Sequence, residues 1–152
     1  MRYWLLKSEP DELSIDDLAK AKGRTTPWFG VRNYQARNYM RDGMRKGDGV
    51  LFYHSSCDVP GVAGIAEVAT AAYPDPTQFD PQSDYFDAGS KRDEPRWVLV
   101  DVKYRRKLKR TITLAELKGR KELKDMVLLR PGNRLSVSPV TKAEWEHILE
   151  LE

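Results

Sequence analysis

Residues 96–105, Arg-Trp-Val-Leu-Val-Asp-Val-Lys-Tyr-Arg, restrict the fold more tightly than any other stretch of the chain. Val98, Val100, Val102 and Tyr104 recur with period two against Trp97, Leu99, Asp101 and Lys103. That alternation builds a two-faced β-strand and gives a helix no continuous apolar stripe. Further strands are expected at 3–7, 50–54, 61–70 and 135–140. Between them lie three helix starts of one grammar. Ser14 with Asp17 is flanked by Leu13 and Leu18, Thr113 with Glu116 by Ile112 and Leu117, and Thr141 with Glu144 by Val140 and Trp145. Each pairs a capping hydroxyl with an acid three residues on and brackets the cap with a hydrophobic staple. Helices are expected near 14–22, 114–118 and 142–150, with another at 33–42 ended by Gly43. Five to six strands with irregularly placed short helices do not make a βαβ series. They make an α+β domain on a curved, mostly antiparallel, barrel-like sheet. At 152 residues the expectation is one domain, 1–152.

Such a fold must hold by its core. Cys57 is alone, which excludes an internal disulfide, and with His54 and His147 as the two histidines no Cys₄ or Cys₂His₂ zinc site is available. No apolar run is long enough to span a membrane. The expected setting is cytoplasmic and reducing, with no cofactor and no metal, and a monomer is favoured.

Charge is unevenly spread. Residues 75–101 hold seven acidic and three basic side chains, so a formal total of +3 leaves the remaining chain at +7. Residues 103–110, KYRRKLKR, place Lys103, Arg105, Arg106, Lys107, Lys109 and Arg110 within eight positions. A basic surface beside an acidic lobe suits a polyanion, and these six are the candidate phosphate contacts. The competing reading is a solvated strand edge blunted by cations.

Catalytic chemistry finds little support. His54-Ser55-Ser56-Cys57-Asp58 contains the letters of a nucleophilic triad, but consecutive residues on a strand point to opposite faces. No nucleophile elbow, metal-helix motif or phosphate loop occurs. Thr26-Pro27-Trp28-Phe29-Gly30 instead places a tryptophan in a stiff loop just before Arg32 and Asn33. A flat ring beside guanidinium and amide groups is suited to stack on a nucleobase and read its edge. The loop is expected to present Trp28 at a cavity mouth, whereas Trp97 and Trp145 are expected in the core.

Several stretches carry a family resemblance. Trp4-Leu5-Leu6-Lys7-Ser8-Glu9-Pro10, the run from Trp28 to Asn38, Gly47-Asp48 with Leu51-Phe52-Tyr53-His54-Ser55, and Pro60-Gly61-Val62-Ala63-Gly64-Ile65-Ala66 resemble successive signatures of EVE domains. So do Tyr73-Pro74-Asp75, Phe79-Asp80-Pro81, Pro95-Arg96-Trp97 and Arg134-Leu135-Ser136-Val137-Ser138-Pro139-Val140. The match keeps order and spacing over essentially the whole chain and is similar to the thymocyte nuclear protein family. The resemblance implies a PUA-like barrel related to YTH domains and a non-catalytic module that holds a modified base of DNA or RNA in an aromatic pocket. The pocket it implies is built from Lys7, Ser8, Trp28, Val31, Arg32, Asn33, Tyr53, His54, Ser55 and Ser56. Tyr85 forms a second wall, where YTH proteins place a tryptophan, and Ser136 and Ser138 close it. Two alternatives from other classes are an enzyme on nucleotides with His54 as base, and a binder of a free small ligand in the same cavity.

Overall fold

A computed structural model describes residues 1–152. The chain runs β1 (Tyr3–Ser8), α1 (Ile15–Lys20), β2 (Thr25–Pro27), α2 (Tyr34–Asn38), β3 (Gly49–His54), β4 (Gly61–Val68), β5 (Tyr73–Pro74) and β6 (Val98–Leu99). It continues with β7 (Asp101–Thr113), α3 (Leu114–Lys118), β8 (Val137–Val140) and α4 (Lys142–Glu150). Six strands form one sheet in the order β2-β7-β4-β3-β1-β8, and β5 pairs with β6 apart from it. The result is a mixed α+β fold with a curled six-stranded half-barrel. Every pairing in the main sheet is antiparallel except β1 with β3, where Tyr3 to Ser8 run beside Gly49 to His54. A parallel pair needs a long crossover. Residues 9–48 supply it, and they carry the loop before α1 and the Trp28 loop to one end of the sheet.

Both faces of the sheet are covered, which explains why β3 is buried almost without alternation. On one face Trp4, Leu6, Val50, Phe52, Val100 and Val102 pack with Leu18, Trp28 and Met40. On the other, Leu5, Leu51, Tyr53 and Val62 pack with Leu108, Leu117 and Ile148. Gly64 lets the layers close up, because a Cβ there would collide with Ile15.

The alternating run at 96–105 divides between two strands. Trp28 N–H donates to Val100 O at 2.9 Å, and at this point the chain leaves the β5–β6 pair for the main sheet. β7 then continues to Thr113, past the expected end, because β4 pairs with it through two register shifts. Capping differs among the three helices as well. Ser14–Asp17 and Thr141–Glu144 form complete boxes. Thr113 caps Glu116 N–H, but the Glu116 carboxylate turns instead to Arg110 and Arg120, which hold it down at about 2. The helix expected over 33–42 is α2 followed by a π turn, Tyr39–Gly43.

Candidate functional site

A cleft of about 520 Å³ opens where the crossover, β1, β3 and β8 meet. Three backbone and side-chain links hold its floor. Lys7 N–H donates to Ser136 O at 2.9 Å and Ser55 N–H to Ser8 O at 3.0 Å. The Ser8 hydroxyl donates to Leu13 O at 2.7 Å. Trp28 lies at the base of the cleft, 7% exposed, with its ring edge-on to Phe52 at 5.5 Å. It is therefore a floor anchored in the core; its indole does not stand at the mouth as the loop's composition suggested. The backbone hydrogen bond to Val100 and the tight turn at Gly30 direct it inward.

Tyr85 forms the opposite wall, and its position is set from behind. Arg32 donates through Nε (3.0 Å) and Nη2 (2.8 Å) to Tyr85 O, and its guanidinium lies between the Tyr85 and Trp97 rings at 5.7 and 5.4 Å from their centroids. Its Nη1 pairs with the fully buried carboxylate of Asp75 at 3.1 Å. That carboxylate also accepts from Gly30 N–H (2.8 Å), Thr77 N–H (2.8 Å) and the Thr77 hydroxyl (2.6 Å). One buried anion thus fixes the Trp28 loop, the guanidinium and the lobe that bears Tyr85. Gly30 adopts φ +90, and a Cβ there would meet the Tyr85 ring at 2.7 Å, so only glycine fits this turn.

The cleft brings together seven of the expected pocket residues: Lys7, Ser8, Trp28, Val31, Ser55, Tyr85 and Ser136. Six lie elsewhere. Arg32 buttresses Tyr85 from behind. Asn33 caps α2, its Oδ1 accepting from Ala36 N–H at 3.0 Å. Tyr53 is buried in the core of the other face, because it directly follows Phe52 on a strand. His54 Nε2 accepts from Ile15 N–H at 3.1 Å and so caps the start of α1. Ser56 is exposed in a left-handed turn, φ 53. Ser138 is buried opposite Leu5, and its hydroxyl has no hydrogen-bond partner. The cleft adds Glu9, Glu12, Leu13, Thr26, Pro27, Phe29, Gly30 and Arg134. Half of these, Glu9, Phe29, Gly30 and Arg134, sit inside the motifs that carried the resemblance. Glu12, Leu13 and Thr26 gave no chemical signal of their own.

Burial shapes the electrostatics. Lys7, half-buried and 6.0 Å from the Tyr53 ring, has its ammonium pushed down by desolvation. Burial, and then Glu12 at 3.4 Å, push the Tyr85 hydroxyl up. Desolvation also holds the His54 imidazole below its ordinary value, which keeps Nε2 a free acceptor for Ile15. The six candidate phosphate contacts are exposed on β7, but four are ion-paired: Arg105 with Glu67, Arg106 with Glu152, Lys107 with Asp16 and Arg110 with Glu116. The ammonium groups of Lys103 and Lys109 have no carboxylate partner, although the Lys109 backbone N–H donates to Glu152 Oε2 at 3.0 Å. A larger depression of about 720 Å³ around Arg2, Trp4, Tyr39 and Pro139 contains none of the expected residues.

The EVE domain family model matches residues 2–151. The chain belongs to the EVE domain family. It is 44% identical to human thymocyte nuclear protein 1 over 99% of its own length and 73% of that protein. The crystal structure of human THYN1 in complex with 5-methylcytosine-containing DNA matches with a TM-score of 0.95 and 43% identity, covering 99% of this chain and 97% of that one. A Pseudomonas syringae protein of known structure matches with a TM-score of 0.94 and 48% identity, over 98% of both chains. A Leishmania major protein matches at 0.93 and 52%, over 99% of this EVE chain and 94% of its own. In this EVE domain no helix is long and apolar enough to cross a membrane.

Proposed function

We propose that this EVE domain is a non-catalytic DNA-binding module that reads a modified base, 5-methylcytosine being the first candidate, by holding it in the cleft between Trp28 and Tyr85. One observation carries the reading: the human relative with this fold is the protein crystallised in complex with 5-methylcytosine-containing DNA. The cleft suits that ligand. Its volume lies within the roughly 300–1,000 Å³ range of small-molecule pockets, and it pairs aromatic walls with hydroxyl, carboxylate and ammonium groups able to meet a base edge. A base must leave the stack to enter, at a cost of a few kcal/mol that is least in single strands. Stacking on an aromatic wall returns roughly 1–3 kcal/mol. His54 favours binding over turnover, because its Nε2 already accepts the Ile15 N–H and is not free to take a substrate proton.

Fluorescence anisotropy with oligonucleotide pairs differing only in one 5-methyl group tests the proposal. Burying one methyl contributes about 0.8 kcal/mol, or roughly a fourfold preference. Wild type should show at least that preference, and Tyr85→Ala should lower affinity for the methylated strand about five- to hundredfold. Equal affinity for both strands would refute base reading. Tighter binding of free 5-methyldeoxycytidine than of the strand would identify a small-ligand binder instead.

A further inference from the structure

At the rim of the cleft Phe29 is 49% exposed. A phenylalanine left in water forfeits much of the gain its burial would give. Its backbone is nevertheless pinned on both sides, by Trp28 N–H to Val100 O at 2.9 Å and by Gly30 N–H to Asp75 Oδ2 at 2.8 Å. The ring is thus presented on a rigid turn. It stands 6.2 Å from the Tyr85 ring, and Phe86, 42% exposed, follows Tyr85 in the chain. Arg134 lines the same cleft, exposed and without a carboxylate partner, whereas Arg32 is committed to Asp75. Exposed flat rings beside an unpaired guanidinium form the surface that a nucleic-acid strand takes, with bases stacking and a phosphate pairing.

We propose that Phe29 is a stacking platform for the base adjoining the one held in the cleft, with Arg134 on the phosphate between the two nucleotides. This rests on the cleft being a base pocket. Turning one base into the cleft uncovers the face of its neighbour, and a rigid ring at the rim covers that face again. Because every base has a flat face, the platform adds affinity and little sequence preference.

A cycle between protein and strand tests this. Anisotropy is read for wild type, Phe29→Ala, Phe29→Leu and Phe29→Trp on a single-stranded oligonucleotide with one 5-methylcytosine. It is repeated on the same strand with abasic residues on both sides of that base. Phe29→Ala and Phe29→Leu should weaken binding to the intact strand about five- to hundredfold, and Phe29→Trp should not. On the abasic-flanked strand the Phe29→Ala loss should shrink to less than about twofold, since the stacking partner is gone. An equal loss on both strands would make Phe29 only a wall of the pocket, and no loss on the intact strand would dismiss it altogether; either overturns the proposal. Repeating the cycle with cytosine in place of 5-methylcytosine separates the two readings. A wild type blind to the methyl refutes base reading, while coupling between Phe29 and the flanking base still registers.

Discussion

Single residues in this domain act by holding others. Asp75 never reaches the cleft, yet its carboxylate joins Gly30, Arg32 and Thr77, and through Arg32 it sets the Tyr85 wall. His54 does the same for the start of α1, and its role depends on pH. The Ile15 N–H needs an unprotonated Nε2, and burial holds the folded imidazole below its ordinary value. In the unfolded chain it takes a proton near pH 6.5. Below that pH the unfolded state binds more protons, so this part of the stability is complete above about 6.5 and is lost as pH falls toward the lower folded value. His54→Gln keeps an acceptor without titrating in this range. Urea unfolding between pH 8 and pH 5 should therefore lose less stability with falling pH in His54→Gln than in wild type. Parallel pH profiles would show that His54 is not the sensitive group.

At the scale of elements, one buried amide ties together the acidic lobe between β5 and β6. Gln78 donates to Asp75 O (2.7 Å) and Trp97 O (2.8 Å), and accepts from the Ser90 hydroxyl (2.6 Å) and Trp97 N–H (3.1 Å). Gln78→Leu would leave the two carbonyls and the Trp97 N–H without this partner, at about 1–3 kcal/mol for such buried groups. Amide exchange should quicken across residues 75–97 while the paired amides of β3 and β4 keep their protection; uniform quickening would mean that the lobe is no separate unit. Elements whose signals are local are legible in the sequence: α3 and α4 span the ranges their capping residues predict, and β3 lies within one residue of the strand expected at 50–54. What depends on distant partners is not. β2 is three residues long and exists because β7 pairs with it, and the parallel β1–β3 register has no local signature. The cleft was half legible for the same reason. The stiff Pro- and Gly-bounded loop marks Trp28, whereas Ser136 comes from the resemblance alone. Tyr53 and His54 were misplaced because the motif shows adjacency in sequence, whereas the pleat decides which face each side chain serves.

For the molecule as a whole, charge decides how a strand would approach, and ion pairing divides the basic run into two kinds of cation. β7 is internal only over residues 101–103, where β2 covers it; from residue 104 onward its outer edge is unpaired by any strand. Lysine and arginine there keep the edge from pairing with another chain. Four of the six are also engaged with Glu67, Glu152, Asp16 and Glu116. A cation already facing a carboxylate releases few counterions when a phosphate replaces it. Lys103, which pairs in register with Thr25 on the strand leading into the Phe29 loop, and Arg134, inside the cleft, have no such partner. Lys109, whose ammonium also has no carboxylate partner, lies six residues further along β7, roughly 20 Å from that register. Phosphate binding should therefore concentrate at Lys103 and Arg134. Removing one unpaired cation that meets a phosphate should reduce the slope of log Kd against log salt by about 0.7 on a single strand. Replacing Lys103 and Arg134 with Ala should flatten the slope by about 1.4. Replacing Arg105, Arg106 and Lys107 with Ala should flatten it by less, although three charges are removed. The larger change in the triple variant would return the phosphate path to the length of β7 and make its ion pairs incidental.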